Sequence, residues 1–129
     1  GWKINLQICY DLRFPVWARQ SPADNEETEF DVLVYVANWP QSRAAAWKTL
    51  LRARAIENQC FVVGVNRIGN DGNNIYHSGE STVVDPLGEI LYQKADKEDI
   101  FTISLEKERI AEVRSRFPFW KDADKFKIF

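Results

Sequence analysis

The sequence predicts an α/β fold, and three observations carry that prediction. Residues 30–37, Phe-Asp-Val-Leu-Val-Tyr-Val-Ala, and residues 60–66, Cys-Phe-Val-Val-Gly-Val-Asn, are nearly continuous apolar runs rich in β-branched residues. That composition belongs to strands covered on both faces. Between them Trp47, Leu50, Leu51 and Ala55 recur at helical spacing, while Arg43, Lys48 and Arg52 fall elsewhere. Strand, helix and strand in that order suggest a parallel pair joined by a crossover.

The elements follow in order. Trp2, Ile4, Leu6 and Ile8 alternate with Lys3, Asn5, Gln7 and Cys9, the period of a strand with one face turned to a core. Cys9 ends it on the polar side. Tyr10-Asp11-Leu12-Arg13 then breaks the alternation, and Pro15 pushes Phe14 toward extended geometry and can start a helix. A short helix or turn is predicted from Val16 to Gln20, and the acidic stretch Ser21–Glu29 reads as a surface loop. The central helix is predicted from about Gln41 to Asn58, capped by Ser42. Gly69–Asn74 is turn chemistry continuing through Ser78-Gly79. Glu80–Val84 and Glu89–Gln93 read as a hairpin about a type I turn at Asp85-Pro86-Leu87-Gly88. A strand is expected over Ile100–Ile103, followed by a helix capped by Ser104 with Leu105, Ile110 and Val113 on its apolar side. The tail carries Phe117, Phe119, Trp120, Phe126 and Phe129, more aromatic surface than a monomer leaves in water.

A chain of 129 residues suffices for one domain with a real core. Lys and Arg number 17 against 19 Asp and Glu, with no basic stripe of the kind that phosphate backbones require. Nucleic acid is not an expected partner. No apolar run approaches the roughly 20 residues that span a bilayer, and no signal peptide stands at the start, so no membrane partner and a cytoplasmic location are expected. Two cysteines, Cys9 and Cys60, make neither a disulfide framework nor a metal-binding spacing, so reduced thiols and no metal or other cofactor are expected. The absence of methionine and the direct start into a strand suggest a truncated polypeptide.

Cys9 is placed where a nucleophile would be useful: a strand end fixes its Cα while the following turn presents backbone N–H groups. Equally, a free cysteine is commonly a small buried hydrophobe, and position alone leaves both readings open. Cys60 reads as inert core. His77, the single histidine, lies in a Gly/Asn/Ser-rich loop, where a solvated surface histidine is the ordinary outcome. Glu57 and Glu80 are carboxylates that could approach Cys9, although a helix ion pair with Arg13 or Arg54 is the simpler account of Glu57. Asn38 and Trp39 stand just past the end of a buried strand, where ligands of parallel sheets sit, and Arg43 follows on the incoming helix turn.

The words I-C-Y-D-L-R-F-P-V-W, Y-V-A-N-W-P, L-L-R-A-R-A-I-E-N-Q, G-V-N-R-I-G-N-D-G, H-S-G-E-S-T-V-V-D-P-L-G-E-I and F-P-F-W-K-D-A-D-K-F occur in one order. Together they resemble the carbon-nitrogen hydrolases of the nitrilase superfamily, and within it the bacterial omega-amidases. Val16-Trp17 after the Phe-Pro pair, where many members carry an acidic residue, fits that branch. The resemblance implies a four-layer α-β-β-α sandwich of which this chain is about half, with residues 1–129 as the C-terminal part of a single hydrolase domain. It implies hydrolysis of a small carboxamide through a cysteine thioester, with Cys9 as nucleophile and the Tyr10 backbone N–H as oxyanion donor. The family's catalytic Glu and Lys lie upstream of the cysteine word and have no counterpart here, so this polypeptide alone is expected to be inactive.

Omega-amidase substrates are 2-oxo dicarboxylic acid monoamides such as 2-oxoglutaramate. A guanidinium for the carboxylate is therefore expected, Arg43 first with Arg13 or Arg67 in reserve, alongside Asn38 and Trp39 as substrate contacts. Expected partners are the amide, the remainder of the same enzyme and a second copy in a homodimer. Two other readings stay open: a nitrile, N-carbamoyl or deaminated-glutathione-like substrate, or a non-catalytic assembly module.

Overall fold

Six strands form one mixed sheet in the computed structural model, which describes residues 1–20, 27–124 and 126. Strands β1 (Ile4–Ile8), β2 (Val32–Ala37) and β3 (Phe61–Asn66) are parallel neighbours, with Ile4 opposite Val32 and Val32 opposite Phe61. The antiparallel half is built by β4 (Ile68–Asn70), β5 (Tyr76–Val84) and β6 (Ile90–Ala95). Helix α1 (Ala44–Asn58) makes the crossover between β2 and β3, entered through a 3₁₀ turn at Gln41–Arg43. Arg43 rather than Ser42 occupies the cap position, and no side chain bonds there.

One face of the sheet is closed by α1. Trp47, Leu51 and Ala55 reach into a core with Leu33, Tyr35, Val62 and Val84. Gly64 lets the helix approach this closely: a Cβ there would lie 2.5 Å from Leu51 Cδ1 and 2.9 Å from Trp47 Cζ2.

The opposite face corrects the reading of the first strand. Ile4, Leu6 and Ile8 do not point into a core; Leu6 is 75% exposed, whereas Gln7 on the other side is buried. Val36 and Val65 continue the same uncovered face, so β2 and β3 are covered fully on one side only. The apolar period does mark a strand, and among the described residues nothing covers its Ile4, Leu6 and Ile8 face. A large groove of about 590 Å³, lined by Val63, Val65, Ile68, Tyr92, Phe101 and Leu105, lies on this open face.

Other expectations shift at their boundaries. The expected turn through Ser78-Gly79 is shorter, because Tyr76–Ser78 pair with β4 and the reversal is confined to residues 71–75, where Asp71 accepts from Asn73 and Ile75. The hairpin at residues 85–88 forms as expected, with Asp85 Oδ1 holding the Leu87 and Glu89 N–H groups. Residues 100–103 join no ladder; Phe101 stacks on Tyr92 at 3.9 Å instead. Helix α2 (Lys107–Arg116) begins after Glu106 rather than at Ser104, since Leu105 is drawn onto the Val32–Phe61–Ile110 cluster. Ile110 and Val113 are buried as its spacing indicated.

The short helix or turn expected from Val16 to Gln20 is a 3₁₀ turn at Pro15–Ala18, and most of the Ser21–Glu29 loop lies outside the described residues. In the tail Phe117 stacks on Phe119, yet Phe119 and Phe126 stay exposed within this chain, and Phe129 lies outside the described residues.

Candidate active site

Cys9 sits where β1 ends and a 3₁₀ turn, Cys9–Arg13, begins. Its φ is +40°, in the left-handed region that a side chain with a Cβ rarely adopts. Such a conformation costs on the order of 1–3 kcal/mol and persists only where neighbours hold it. Two contacts do so. The Asp11 carboxylate accepts the Ile8 N–H at 2.9 Å, closing the turn on itself. Beneath it, Arg54 of α1 donates from Nη2 to the Leu12 carbonyl at 2.6 Å.

A cavity of about 280 Å³ opens over the thiol, lined by Cys9, Tyr10, Arg13, Asn38, Trp39, Pro40 and Arg43. Cys9, Tyr10, Asn38, Trp39 and Arg43 thus lie around one cavity, joined by Arg13. Chain segments remote in sequence, Cys9–Arg13 and Asn38–Arg43, meet here because β1 and β2 are parallel neighbours whose C-terminal ends coincide. The larger groove on the open sheet face shares no lining residue with this cavity and holds no cysteine.

The wall opposite Cys9 is tightly fixed. Trp39 donates from its indole Nε1 to the Arg43 carbonyl at 2.7 Å, and its ring lies against Trp47. The Arg13 guanidinium stands 4.8 Å over the Trp39 ring, a cation–π contact. Among the described residues neither Arg13 nor Arg43 has a carboxylate partner, which leaves two cations free at the mouth. Tyr10, second residue of its turn, has a backbone N–H with no acceptor inside the turn. Among the described residues no carboxylate and no lysine lines the cavity. The arrangement therefore brings together a thiol, a backbone N–H and two guanidinium groups, without a carboxylate or amine beside them.

The remaining candidates fall elsewhere. His77 is not a solvated loop residue; it is buried in β5, its Nδ1 2.9 Å from the Ile75 carbonyl oxygen. Glu57 pairs with Arg54 at 3.0 Å, and Glu80 with Lys48. Arg67 turns to the Asn70 carbonyl.

Two residues were not recognised from sequence. Arg54 continues the Trp47–Leu51 stripe at helical spacing, so its burial was legible from period but masked by its charge. Asn66, at the end of an apolar strand, bonds the Trp39 peptide on both sides; nothing local marks that role.

The two thiols differ in kind. Cys60 is fully buried, and that burial pushes its thiol far above the ordinary range, so its nucleophilic form is scarce at neutral pH. Iodoacetamide at neutral pH should label Cys9 in the folded protein and leave Cys60 unlabelled until denaturant is added, as read by peptide mass mapping. Labelling of Cys60 at a rate comparable to Cys9 would contradict this assignment.

The sequence profile of the carbon-nitrogen hydrolases matches residues 1–115. The chain belongs to the carbon-nitrogen hydrolase family. It is 46% identical to the omega-amidase YafV of Escherichia coli K12 over its whole length, covering 48% of that protein. It is 39% identical to the 2-oxoglutaramate amidase of Bacillus subtilis 168, over 97% of this chain and 46% of the relative. The crystal structure of XC1258 from Xanthomonas campestris, a CN-hydrolase superfamily protein with an arsenic adduct in its active site, superposes with a TM-score of 0.97 at 48% identity. It is matched over all of this chain and 49% of its own. The fold is therefore that of the nitrilase superfamily, and the chain spans about half the length of the relatives it matches.

Proposed function

We propose that the full-length protein hydrolyses the terminal amide of a 2-oxo dicarboxylic acid monoamide such as 2-oxoglutaramate, with Cys9 as the nucleophile. The observation that carries the reading is the left-handed Cys9 opening into a cavity rimmed by two uncommitted arginines. The Cys9 sulfur would attack the amide carbon, and the tetrahedral oxyanion would be met by the Tyr10 N–H. Expulsion of ammonia, which takes up a proton, leaves a thioester. Water then adds to the thioester, and the sulfur departs with release of the carboxylic acid. An ordinary thiol is mostly protonated at neutral pH, so a base is needed, as is an acid for the leaving nitrogen. The family's Glu and Lys would come from the portion preceding this chain, which on this reading is the C-terminal part of a single hydrolase domain.

In the same reading Arg43 grips the substrate carboxylate while Asn38 and Trp39 form the wall. The open face of Ile4, Leu6, Ile8, Val36 and Val65 packs on the second sheet, and the aromatic tail is covered by the body of the enzyme or a second copy in a cytoplasmic homodimer. The purified full-length protein should release ammonia from 2-oxoglutaramate. Arg43→Ala should raise KM for it by about 10- to 100-fold, the weight of one charge-assisted contact, with little change for an uncharged amide such as propionamide. Equal loss on both substrates would remove Arg43 from carboxylate binding. A non-catalytic assembly role is the second reading, favoured by the extent of exposed apolar surface.

A further inference from the structure

Strands β3 and β4 run along the same edge of β5 without a slip in register: Val62 faces Val84, Gly64 faces Thr82, Ile68 faces Ser78 and Asn70 faces Tyr76. They amount to one long hairpin arm with a gap in the middle. On β5 the gap coincides with Gly79 at φ +77° and Glu80 at φ +58°, where the pairing with β6 also skips a residue. This is a β-bulge, a device that turns backbone groups out of a ladder and aims them elsewhere.

The freed groups point toward the site. The Gly79 carbonyl accepts the Asn66 amide at 2.7 Å, and the Glu80 carbonyl accepts the Trp47 indole N–H at 2.9 Å. Asn66 is buried in the gap, and its own peptide is held by the Ser81 hydroxyl, which accepts from Asn66 N and donates to Asn66 O. Its side chain then spans to the loop after β2. Oδ1 accepts the Trp39 N–H at 2.7 Å, and Nδ2 donates to the Trp39 carbonyl at 2.9 Å. One amide thus clamps both polar groups of Trp39, and it faces only backbone partners. Trp39 in turn anchors the Arg43 carbonyl and carries the Arg13 guanidinium over its ring.

We infer that Asn66, anchored by the β5 bulge, is the positioning residue that sets the Trp39 wall and, through it, the two arginines of the cavity rim. It touches neither Cys9 nor the cavity. A carboxamide is required rather than tolerated, because the Trp39 N–H needs an acceptor while the Trp39 and Gly79 carbonyls need donors. The isosteric Asn66→Asp keeps the acceptor, loses both donations and sets a carboxylate against two carbonyl oxygens.

The kinetic arm of the test rests on the amidase reading; a second arm does not. In the full-length protein, Asn66→Ala and Asn66→Asp should each raise KM for 2-oxoglutaramate by about tenfold, with kcat changed less, the aspartate variant being no better than alanine. Independently of turnover, Cys9 is alkylated with anionic iodoacetate and neutral iodoacetamide. Displacing the cationic rim should lower the iodoacetate-to-iodoacetamide rate ratio by about threefold while the iodoacetamide rate stays within about twofold of wild type. A wild-type protein that releases no ammonia but shows the ratio change would sink the amidase reading and leave the Asn66 assignment standing. An unchanged ratio and KM in variants that remain folded would overturn that assignment. So would parallel falls in both alkylation rates, which mark a general loss of structure.

Discussion

Cys9→Ala in the full-length protein should lower amide hydrolysis by at least about 10⁴-fold, the scale on which removal of a covalent nucleophile is felt. The cavity offers no substitute: its other lining residues are Tyr10, Arg13, Asn38, Trp39, Pro40 and Arg43. Cys9→Gly sharpens the expectation. At φ +40° the native residue is strained, and glycine carries no penalty there. Glycine should therefore stabilise the fold by about 1 kcal/mol relative to alanine while being equally inactive, a trade of stability against activity characteristic of a strained functional residue. The comparison needs only ammonia release and chemical denaturation on the two variants. Persistent turnover in either would exclude Cys9 as nucleophile, whereas absence of turnover in the full-length wild-type protein would favour the assembly role.

Arg54→Ala should destabilise the fold by about 3 kcal/mol, read by denaturant titration. The guanidinium is buried and forked between the Leu12 carbonyl and the Glu57 carboxylate. It also lies close enough to Tyr35 to pull down a hydroxyl that burial has pushed up to about 12. Truncation leaves the Leu12 carbonyl without its donor, opens a hole beneath the nucleophile turn and leaves Glu57 unpaired. Arg54→Met keeps most of the volume and should recover roughly half of the loss in stability. It should not recover the activity, because a thioether cannot hold the Leu12 carbonyl and so cannot brace the left-handed Cys9. Arg54→Lys presents a single ammonium that cannot fork to both acceptors, so it too should fall short. A stability change below about 1 kcal/mol for alanine would show that the buried fork contributes little.

The residue pattern of this chain was enough for its three parallel strands, the hairpin about residues 85–88, the crossover helix and the grouping of Cys9 with Asn38 and Trp39, but not for β4. Period and composition act locally: Val32–Ala37 and Phe61–Asn66 can only be sheet, and a polar break after each parallel strand puts Cys9, Asn38 and Trp39 at the same edge. The family words then fixed the chemistry to expect. Contacts between remote residues were not legible. That Ile4, Leu6 and Ile8 face away from α1 follows from which side the crossover helix covers, a choice the alternation itself leaves free. The buried His77 depends on Tyr76–Ser78 being recruited into β5 by β4, and local turn propensity outweighed that pairing in the sequence. Arg54 and Asn66 matter because each reaches a backbone carbonyl 42 or 27 residues away. Sequence determined the identity of the reactive groups, since those are carried by single side chains. Tertiary structure alone decided how they are held, because buried polar groups take their partners from whatever backbone the fold brings within reach.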